Sequence, residues 1–251
     1  MNETICTIMK RGSLRRYKEE NISDEHLDII LNAAMRAPTA GNMMTYSIIT
    51  VRKEETKKKL AISCDNQPFI AKAPLILIFL ADYSKWYKYY EVNGVREFQK
   101  DRGENFAGPS AGSFVLAVQD AVIAAESLGI GSCYIGDIME QKEYHKTLFN
   151  LPEYVFPVAM LTLGYYPEDY MVPLKERFAE KYVVFEERYN ELSKEDIDDM
   201  FRKRDQLFTA KNKYNAKNYA QMHYNFKVKA PFSKEMQRSV EEALKEWDKK
   251  E

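Results

Sequence analysis

The sequence is poor in the residues that build disulfide frameworks and metal sites. Its 251 residues include three cysteines, Cys6, Cys64 and Cys133, which form no CxxC pair. Few, widely spaced cysteines argue against a disulfide framework and are typical of a reducing cytoplasm. The three histidines are scattered as well, which gives a metal site little support. We therefore expect a cytoplasmic protein without a metal or a disulfide.

Long apolar runs and an excess of one charge are also missing. No uninterrupted apolar run approaches the ~20 residues of a membrane helix, and the amino terminus lacks the apolar core of a secretory signal. The chain has 37 Lys and Arg against 38 Asp and Glu, a net charge of −1. Non-specific nucleic-acid binding needs a basic excess. We expect a soluble protein that binds neither membranes nor nucleic acid.

Short apolar runs alternate with helical patterns along the first two thirds of the chain. Predicted strands lie at 46–51, 74–80, 133–135 and 155–163. Predicted helices lie at 23–37, 54–62, 83–99, 111–128 and 142–149. The helix at 111–128 is apolar around most of its circumference, as in a central buried helix, and glycines in 101–109 predict a flexible loop. Strands alternating with helices indicate a layered α/β or α+β domain.

The composition changes beyond about Val184. Residues 186–229 are charged and rich in Tyr, Asn and Lys, and a final amphipathic helix is predicted at about 233–247. We found no Gly/Ser linker, so we divide the chain into a main domain, 1–185, and an extension of the same fold, 186–251. A polar arm that crosses a partner subunit explains this composition better than a surface for single-stranded nucleic acid.

Two basic clusters lie roughly 160 residues apart in the sequence. The first is Arg11-Gly12-Ser13-Leu14-Arg15-Arg16, and the second is Lys175-Glu176-Arg177. Alternate residues of an extended segment point to the same side. Guanidinium and ammonium groups placed in this way bind a phosphate dianion. Together they suggest one phosphorylated cofactor held from two sides, whereas each cluster alone could equally be a solvated group of charges.

Six motifs appear in a characteristic order. They are Arg11–Tyr17, Ala33–Asn42, Asn66–Phe69, Ala125–Gly136, Leu163–Tyr165 and Pro173–Arg177. In this order they resemble the FMN-dependent nitroreductase family, and most closely its NADPH:flavin reductase and oxygen-insensitive nitroreductase branch. The resemblance covers residues 3 to about 190. Each motif alone is weak, but the ordered set is specific.

The resemblance implies a cofactor site built from most of these motifs. Arg11, Ser13 and Arg15 would hold the phosphate and ribityl chain of FMN. Lys175 and Arg177 would close on the same cofactor from the other side.

The remaining residues would surround the isoalloxazine ring. Gln67 would hydrogen-bond its polar edge through an amide that can donate and accept. Thr39 and Asn42 would line the ribityl chain or the ring edge. A backbone N–H within the turn that contains Ile135, Gly136 and Asp137 would face N5 and O4, and a glycine there lets the backbone approach a flat ring.

Several positions depart from the family pattern or allow another interpretation. Met44 stands where a Gln is common and is expected to pack against the flavin or the substrate, while Gly12 replaces a larger basic residue. Gln67 could be an ordinary turn residue before a proline, and Gly136 a turn glycine. Residues 202–204, Arg-Lys-Arg, could read the 2′-phosphate of NADPH or form a solvated basic turn.

The resemblance also implies the fold, the partners and the activity. We expect an α+β three-layer sandwich with a mixed four- to five-stranded sheet between helices, and a homodimer with FMN at the subunit interface. The expected activity is FMN-dependent NAD(P)H oxidoreduction of nitroaromatics, quinones or free flavin by a ping-pong mechanism. The chemistry would occur at flavin N5 without a catalytic side chain, and the resembled branch favours NADPH over NADH. A dehalogenase, a flavin-destroying enzyme or a non-enzymatic redox sensor of the same fold remains open.

Overall fold

The chain forms two compact units. The structure is a computed structural model that describes residues 1–95 and 107–247, with the backbone alone for 107–114. One unit comprises residues 1–173 and 235–251, and the other comprises 174–234. The boundary that we expect at 185/186, between the cofactor-binding domain and its extension, stays a prediction. Among the described helices, none combines the length and the apolar character that a membrane crossing requires.

A four-stranded sheet lies at the centre of the first unit. Its order is β1 (Tyr46–Val51), β2 (Leu75–Asp82), β4 (Val155–Tyr165), β3 (Ile130–Ile135). All three pairings are antiparallel. The mixed sheet expected from the sequence is therefore wrong for these four strands. In the described part, a parallel pairing occurs at an isolated bridge between Ser13 and Ser132. A strand buried on both faces has the same apolar pattern in either direction, so the sequence could not decide this point.

Helices cover both faces of the sheet and confirm the α+β class. Their bounds in this unit are α1 (Glu3–Lys10), α2 (Asp24–Met35), α3 (Glu54–Ser63), α4 (Pro68–Lys72), α5 (Ser84–Val92), α6 (Ala107–Ser127), α7 (Lys142–Phe149) and most of α10 (Pro231–Trp247). Alternate residues of β2 point to opposite faces. Leu75, Leu77 and Phe79 join the apolar cluster formed with α2 and α6. Ile76, Ile78 and Leu80 join the cluster formed with α3 and α4. The sheet is thus the middle layer of three.

The long helix α6 is buried along one side only. Ala117, Ala121 and Ala125 are fully buried against the sheet, whereas Leu116 is 44% exposed. The helix begins at Ala107 rather than at 111. The predicted loop at 101–109 is therefore wrong for 107–109, since a proline is tolerated in a first helical turn, and its remainder lies outside the described residues.

Local capping signals set the ends of two helices. Ser23 caps α2 as predicted, because its Oγ accepts a hydrogen bond from the His26 N–H at 3.1 Å. The helix expected at 83–99 is observed as α5, which ends at Val92, so the prediction is wrong for 93–95. Residues 96–99 lie outside the described part. In α10, Ser239 Oγ donates to the Met139 carbonyl oxygen at 2.5 Å. This contact attaches the carboxy-terminal helix to the segment before α7.

The second unit contains two helices that the sequence analysis missed. They are α8 (Lys194–Asp205) and α9 (Tyr219–Lys227), and neither contains a buried residue among those described. A helix that buries no residue carries little of the apolar periodicity by which helices are recognised. The available signal was the capping box, in which Ser193 and Asp196 bond reciprocally to each other's backbone N–H.

Candidate functional site

The basic segment at 11–17 lies along strand β3. The Leu14 N–H donates to the Ser132 carbonyl oxygen at 2.8 Å, next to the bridge between Ser13 and Ser132. Leu14 is fully buried, whereas Ser13 and Arg15 on either side of it are exposed. Tyr17 fastens the end of the segment, since its hydroxyl donates to Thr162 Oγ1 at 2.7 Å. Ser13 and Arg15 therefore occupy alternate positions on an extended, anchored backbone, as the sequence indicated.

The Arg11 side chain contains a hydrogen-bond donor that no described residue accepts from. Its Nε is buried and has no hydrogen-bond partner in the described part of the chain. The nearby Glu126 is engaged instead by Tyr166, whose hydroxyl donates to Glu126 Oε2 at 2.8 Å. Burial raises the pKa of Glu126, while this hydrogen bond and the charge of Arg11 lower it. A buried guanidinium nitrogen without a partner suits an anionic ligand.

Arg15 lies beside the third motif. Its guanidinium carbon is 5.6 Å from the centre of the Phe69 ring, within the range of a cation–π contact. Arg15 and Phe69 line a cleft of about 650 Å³, whose other charged residues are the cations Arg16, Lys18, Lys57 and Lys72 and the acids Glu19, Glu20 and Glu54. The first and third motifs, more than fifty residues apart in the sequence, thus meet in the fold.

Gln67 is held by two internal hydrogen bonds. Its Nε2 donates to the Cys64 carbonyl oxygen at 3.0 Å and to Asp137 Oδ2 at 2.6 Å. Both partners are acceptors, so the amide nitrogen must face them and Oε1 remains as the acceptor. From the sequence we expect an amide that both donates to and accepts from a ligand. The structure leaves only the acceptor for that purpose.

Gly136 and Gly131 differ in what surrounds them. A Cβ at Gly131 would lie 2.6 Å from Tyr166 Cζ and 2.7 Å from Leu14 Cδ2, so packing within the fold explains that glycine. A Cβ at Gly136 would meet only Met139 Cε, at 3.9 Å, and its φ of −80° suits any residue. Neither the backbone nor its neighbours require a glycine at 136. The open surface after β3 would admit a flat ring close to the backbone.

The loop before β1 contains the three other predicted residues of this unit. Thr39 Oγ1 accepts a hydrogen bond from the Met44 N–H at 3.0 Å. Asn42 and Met44 have positive φ angles of 53° and 46°, which are uncommon outside glycine. The Met44 side chain packs against the apolar cluster beside α2 and α6, so contact with a flavin stays a prediction.

The departure at Gly12 has a packing reason. A Cβ at this position would lie 2.3 Å from Val172 Cγ1. A larger basic residue would therefore displace the backbone or Val172 in this chain.

The second basic cluster belongs to the other compact unit. Lys175 and Arg177 are exposed, and Glu176 between them forms an ion pair with Lys203. Arg202 bonds to Asp199 at 2.8 Å, and the Arg204 guanidinium lies 3.9 Å from the centre of the Phe178 ring. The basic triplet at 202–204 is thus the last turn of α8, rather than a loop turn, and each member has a partner. That Lys175 and Arg177 meet the first cluster at one ligand stays a prediction.

Comparison with known proteins identifies the family. A sequence profile described as the nitroreductase family matches residues 8–165. The chain belongs to the nitroreductase family. It is 32% identical over 191 residues, 75% of each chain, to a Bacillus subtilis protein named as an FMN reductase using NAD(P)H. It is 30% identical over 197 residues, 78% of this chain and 79% of the other, to the NADPH-flavin oxidoreductase of Vibrio harveyi.

Solved structures agree with this family assignment. The nitroreductase-family protein described here superposes on NfrA2 of B. megaterium with a TM-score of 0.80 and 34% identity, covering 97% of this chain and 98% of the other. The resemblance found in the six motifs and the expected fold class are thereby confirmed. The site residues remain predictions, because no ligand defines their contacts. Sequence reasoning missed Glu140, a buried acid that lies outside the residues assigned to the cofactor.

Proposed function

We propose that this nitroreductase-family protein is an FMN-dependent NAD(P)H oxidoreductase. The observation that supports it most strongly is the arrangement of two groups along β3. Ser13 and Arg15 lie beside Ser132 on this strand, and the open glycine Gly136 follows its last residue. Four residues of extended chain span about 13 Å, which is the scale of a ribityl phosphate that connects an anion site to a ring site.

The residues present fit FMN chemically. The unpartnered Nε of Arg11, the Ser13 hydroxyl and the Arg15 guanidinium would hold the phosphate. Gln67 can only accept at its free Oε1, so it suits the N–H of the ring's pyrimidine edge. Gly136 would leave the backbone accessible to the ring. Lys175 and Arg177 would bring further cations, stabilising negative charge that develops on the ring during reduction.

Bound FMN would supply hydride chemistry between NAD(P)H and an electron acceptor. The protein would bind and orient the two reactants in turn, and no side chain is required as an acid or a base. The acceptor class is nitroaromatics, quinones or free flavin. The names of the relatives from B. subtilis and V. harveyi both favour a flavin acceptor, and that of the V. harveyi relative favours NADPH as the reductant.

Exposed apolar residues support a homodimer with FMN at the subunit interface. Helix α1 has no buried residue among those described, yet Ile5, Ile8 and Met9 are apolar and exposed. Leu116 on α6 is exposed as well. Ile5, Ile8 and Met9 share one face of α1 by their spacing, and exposed apolar surface of this kind is typical of a protein interface. We place the dimer in the cytoplasm, in keeping with three free cysteines.

Stopped-flow mixing tests the proposal. Protein saturated with FMN should lose its flavin absorbance on mixing with NADPH or NADH, and the absorbance should return when a quinone or nitroaromatic is added. Failure of both nicotinamides to bleach the flavin would exclude the reductase activity. A purified protein without flavin absorbance even after addition of FMN would exclude the cofactor site itself.

A further inference from the structure

Three carboxylates converge beside the end of strand β3. Asp65 follows α3, and Asp137 and Glu140 flank the short helical turn after Gly136. One oxygen atom from each of the three lies within 4.8 Å of the other two. Residues from distant parts of the sequence thus bring three acidic groups to one point.

Glu140 is the unusual member of this cluster. It is only 3% exposed, and its Oε1 is fully buried with no hydrogen-bond partner among the described residues. A buried carboxylate oxygen without a partner is strongly unfavourable unless a ligand, an ion or a proton satisfies it. Its position therefore calls for a proton or a bound ion at this oxygen.

The neighbouring charges add to the need for a cation. The groups that act electrostatically on Glu140 are Asp65, Asp137 and Glu235, which are all acidic. Glu235 is already compensated, because Arg238 bonds to it at 2.7 Å and the Gln141 N–H donates to it at 3.2 Å. Asp137 receives one hydrogen bond from the Gln67 amide. Asp137 and Glu140 form no ion pair with a lysine or arginine among the described residues.

We propose that Asp65, Asp137 and Glu140 form a binding site for a divalent cation of the Ca²⁺ type. Carboxylate oxygens are the ligands that hard cations prefer, and the set contains no thiolate or imidazole. Mg²⁺ usually keeps several waters and takes only one or two protein carboxylates, whereas Ca²⁺ accepts a larger set of oxygen ligands in a flexible geometry. A set of three carboxylates therefore suits Ca²⁺ better.

The site lies next to the proposed flavin site without depending on it. Asp137 is shared, since it would bind the cation and also receives the hydrogen bond that orients Gln67. A bound cation would fix the Asp137 carboxylate and, if the proposed function holds, the acceptor that Gln67 presents to the ring. Cation binding itself is measurable without any turnover.

Calorimetry and thermal unfolding test the site directly. The FMN-loaded full-length protein is treated with EDTA, desalted, and titrated with CaCl₂ and separately with MgCl₂. We expect one Ca²⁺ per chain, weaker Mg²⁺ binding, and a Tm that rises by about 5–10 °C at a Ca²⁺ concentration 100 times Kd. Absence of heat and of a Tm shift up to millimolar Ca²⁺ would overturn the proposal and leave Glu140 as a protonated acid.

Two variants and one control make the test specific. Glu140→Gln should weaken Ca²⁺ binding at least 100-fold and abolish the Tm shift. Asp65→Asn is the second test, because Asp65 has a φ of 59° and asparagine tolerates this conformation. Glu153→Gln removes the same charge from an exposed glutamate and should bind Ca²⁺ like the wild type. Equal responses from all three variants would refute the site. Flavin absorbance, recorded in parallel, separates this outcome from a failure of the FMN proposal.

Discussion

Gln67 and Asp137, seventy residues apart in the sequence, are joined by a hydrogen bond of 2.6 Å. This bond, together with the one to the Cys64 carbonyl oxygen, uses both hydrogens of the Gln67 amide. The orientation of the amide is therefore set by the protein before any ligand binds. A site that is ordered in advance loses less entropy on binding than one that must be assembled.

Replacing Gln67 by leucine should weaken FMN binding by about 10-fold, which corresponds to the net free energy of about one hydrogen bond. The physical reason is the loss of the Oε1 acceptor at the ring edge. Quenching of FMN fluorescence on titration with the protein measures the change. Asp137→Asn is a useful second variant, because an asparagine at 137 can donate as well as accept. It would therefore no longer force the nitrogen of the Gln67 amide to face it. Unchanged affinity in Gln67→Leu would show that Gln67 is only a structural residue of the turn before α4.

Arg15→Ala and Arg177→Ala should each reduce FMN affinity by about 10- to 100-fold, because a charge-assisted hydrogen bond contributes about 1.5–3 kcal/mol. The affinity should also become less sensitive to salt. Equilibrium dialysis at two ionic strengths measures both effects.

Arg16→Ala is the matched control for this pair. The Arg16 guanidinium is already engaged by Asp169 at 2.8 Å and lies over the Tyr170 ring, so its removal should change FMN retention far less. If Arg15→Ala and Arg177→Ala both retain FMN like the wild type, the phosphate assignment is wrong.

Gly136→Ala and Gly131→Ala should have opposite consequences. A methyl group at 136 meets only Met139 Cε at 3.9 Å, so the variant should unfold at nearly the wild-type Tm and yet bind FMN weakly. A methyl group at 131 would lie 2.6–2.7 Å from Tyr166 and Leu14, so that variant should be destabilised by about 1–3 kcal/mol. Thermal unfolding and flavin titration of both proteins separate the two effects. Wild-type FMN affinity in Gly136→Ala would argue against a ring beside this turn.

The contribution of His145 to the unfolding free energy should fall as the pH drops below about 6.5, because this histidine is fully buried. Its Nδ1 donates to the Glu140 carbonyl oxygen at 2.8 Å, and its Nε2 accepts from Ser63 Oγ at 2.9 Å, so the ring is held neutral. Burial lowers the pKa of His145 in the folded protein. The unfolded chain therefore binds the proton first, and between the two pKa values each pH unit costs about 1.4 kcal/mol.

Urea unfolding from pH 7.5 to 5 measures this dependence. His145→Gln should show a shallower loss of unfolding free energy with falling pH, although the variant is less stable throughout. His223→Gln, which changes an exposed histidine, should keep the wild-type slope. A slope that is the same in His145→Gln and the wild type would assign the acid sensitivity to other groups.

Local chemistry made several features predictable. The alternate positions of Ser13 and Arg15 predicted that their side chains share one side of the basic segment; both are exposed, whereas Leu14 between them is buried. Ser23 before the periodic apolar residues predicted the start of α2. The continuous apolar run at 74–80 predicted a strand covered on both faces, and every residue of β2 is buried. Each of these patterns depends on neighbours in the chain.

Other features depended on contacts between distant residues. The packing of Val172 against Gly12 explains a departure from the family pattern that the sequence could only note. Helices α8 and α9 bury no described residue, so little apolar periodicity marked them. Glu140 looked like one more acidic residue until the fold buried it beside Asp65 and Asp137.

The sequence by itself determined the family and the layered α+β class, because ordered motifs and local periodicity are properties of the chain alone. Only the tertiary structure decided the antiparallel direction of the strands, the single acceptor left on Gln67 and the meeting of three carboxylates. The packing of distant segments sets the strand direction, the hydrogen-bond partners and the buried charge. These features cannot be predicted from the spacing of residues along the chain.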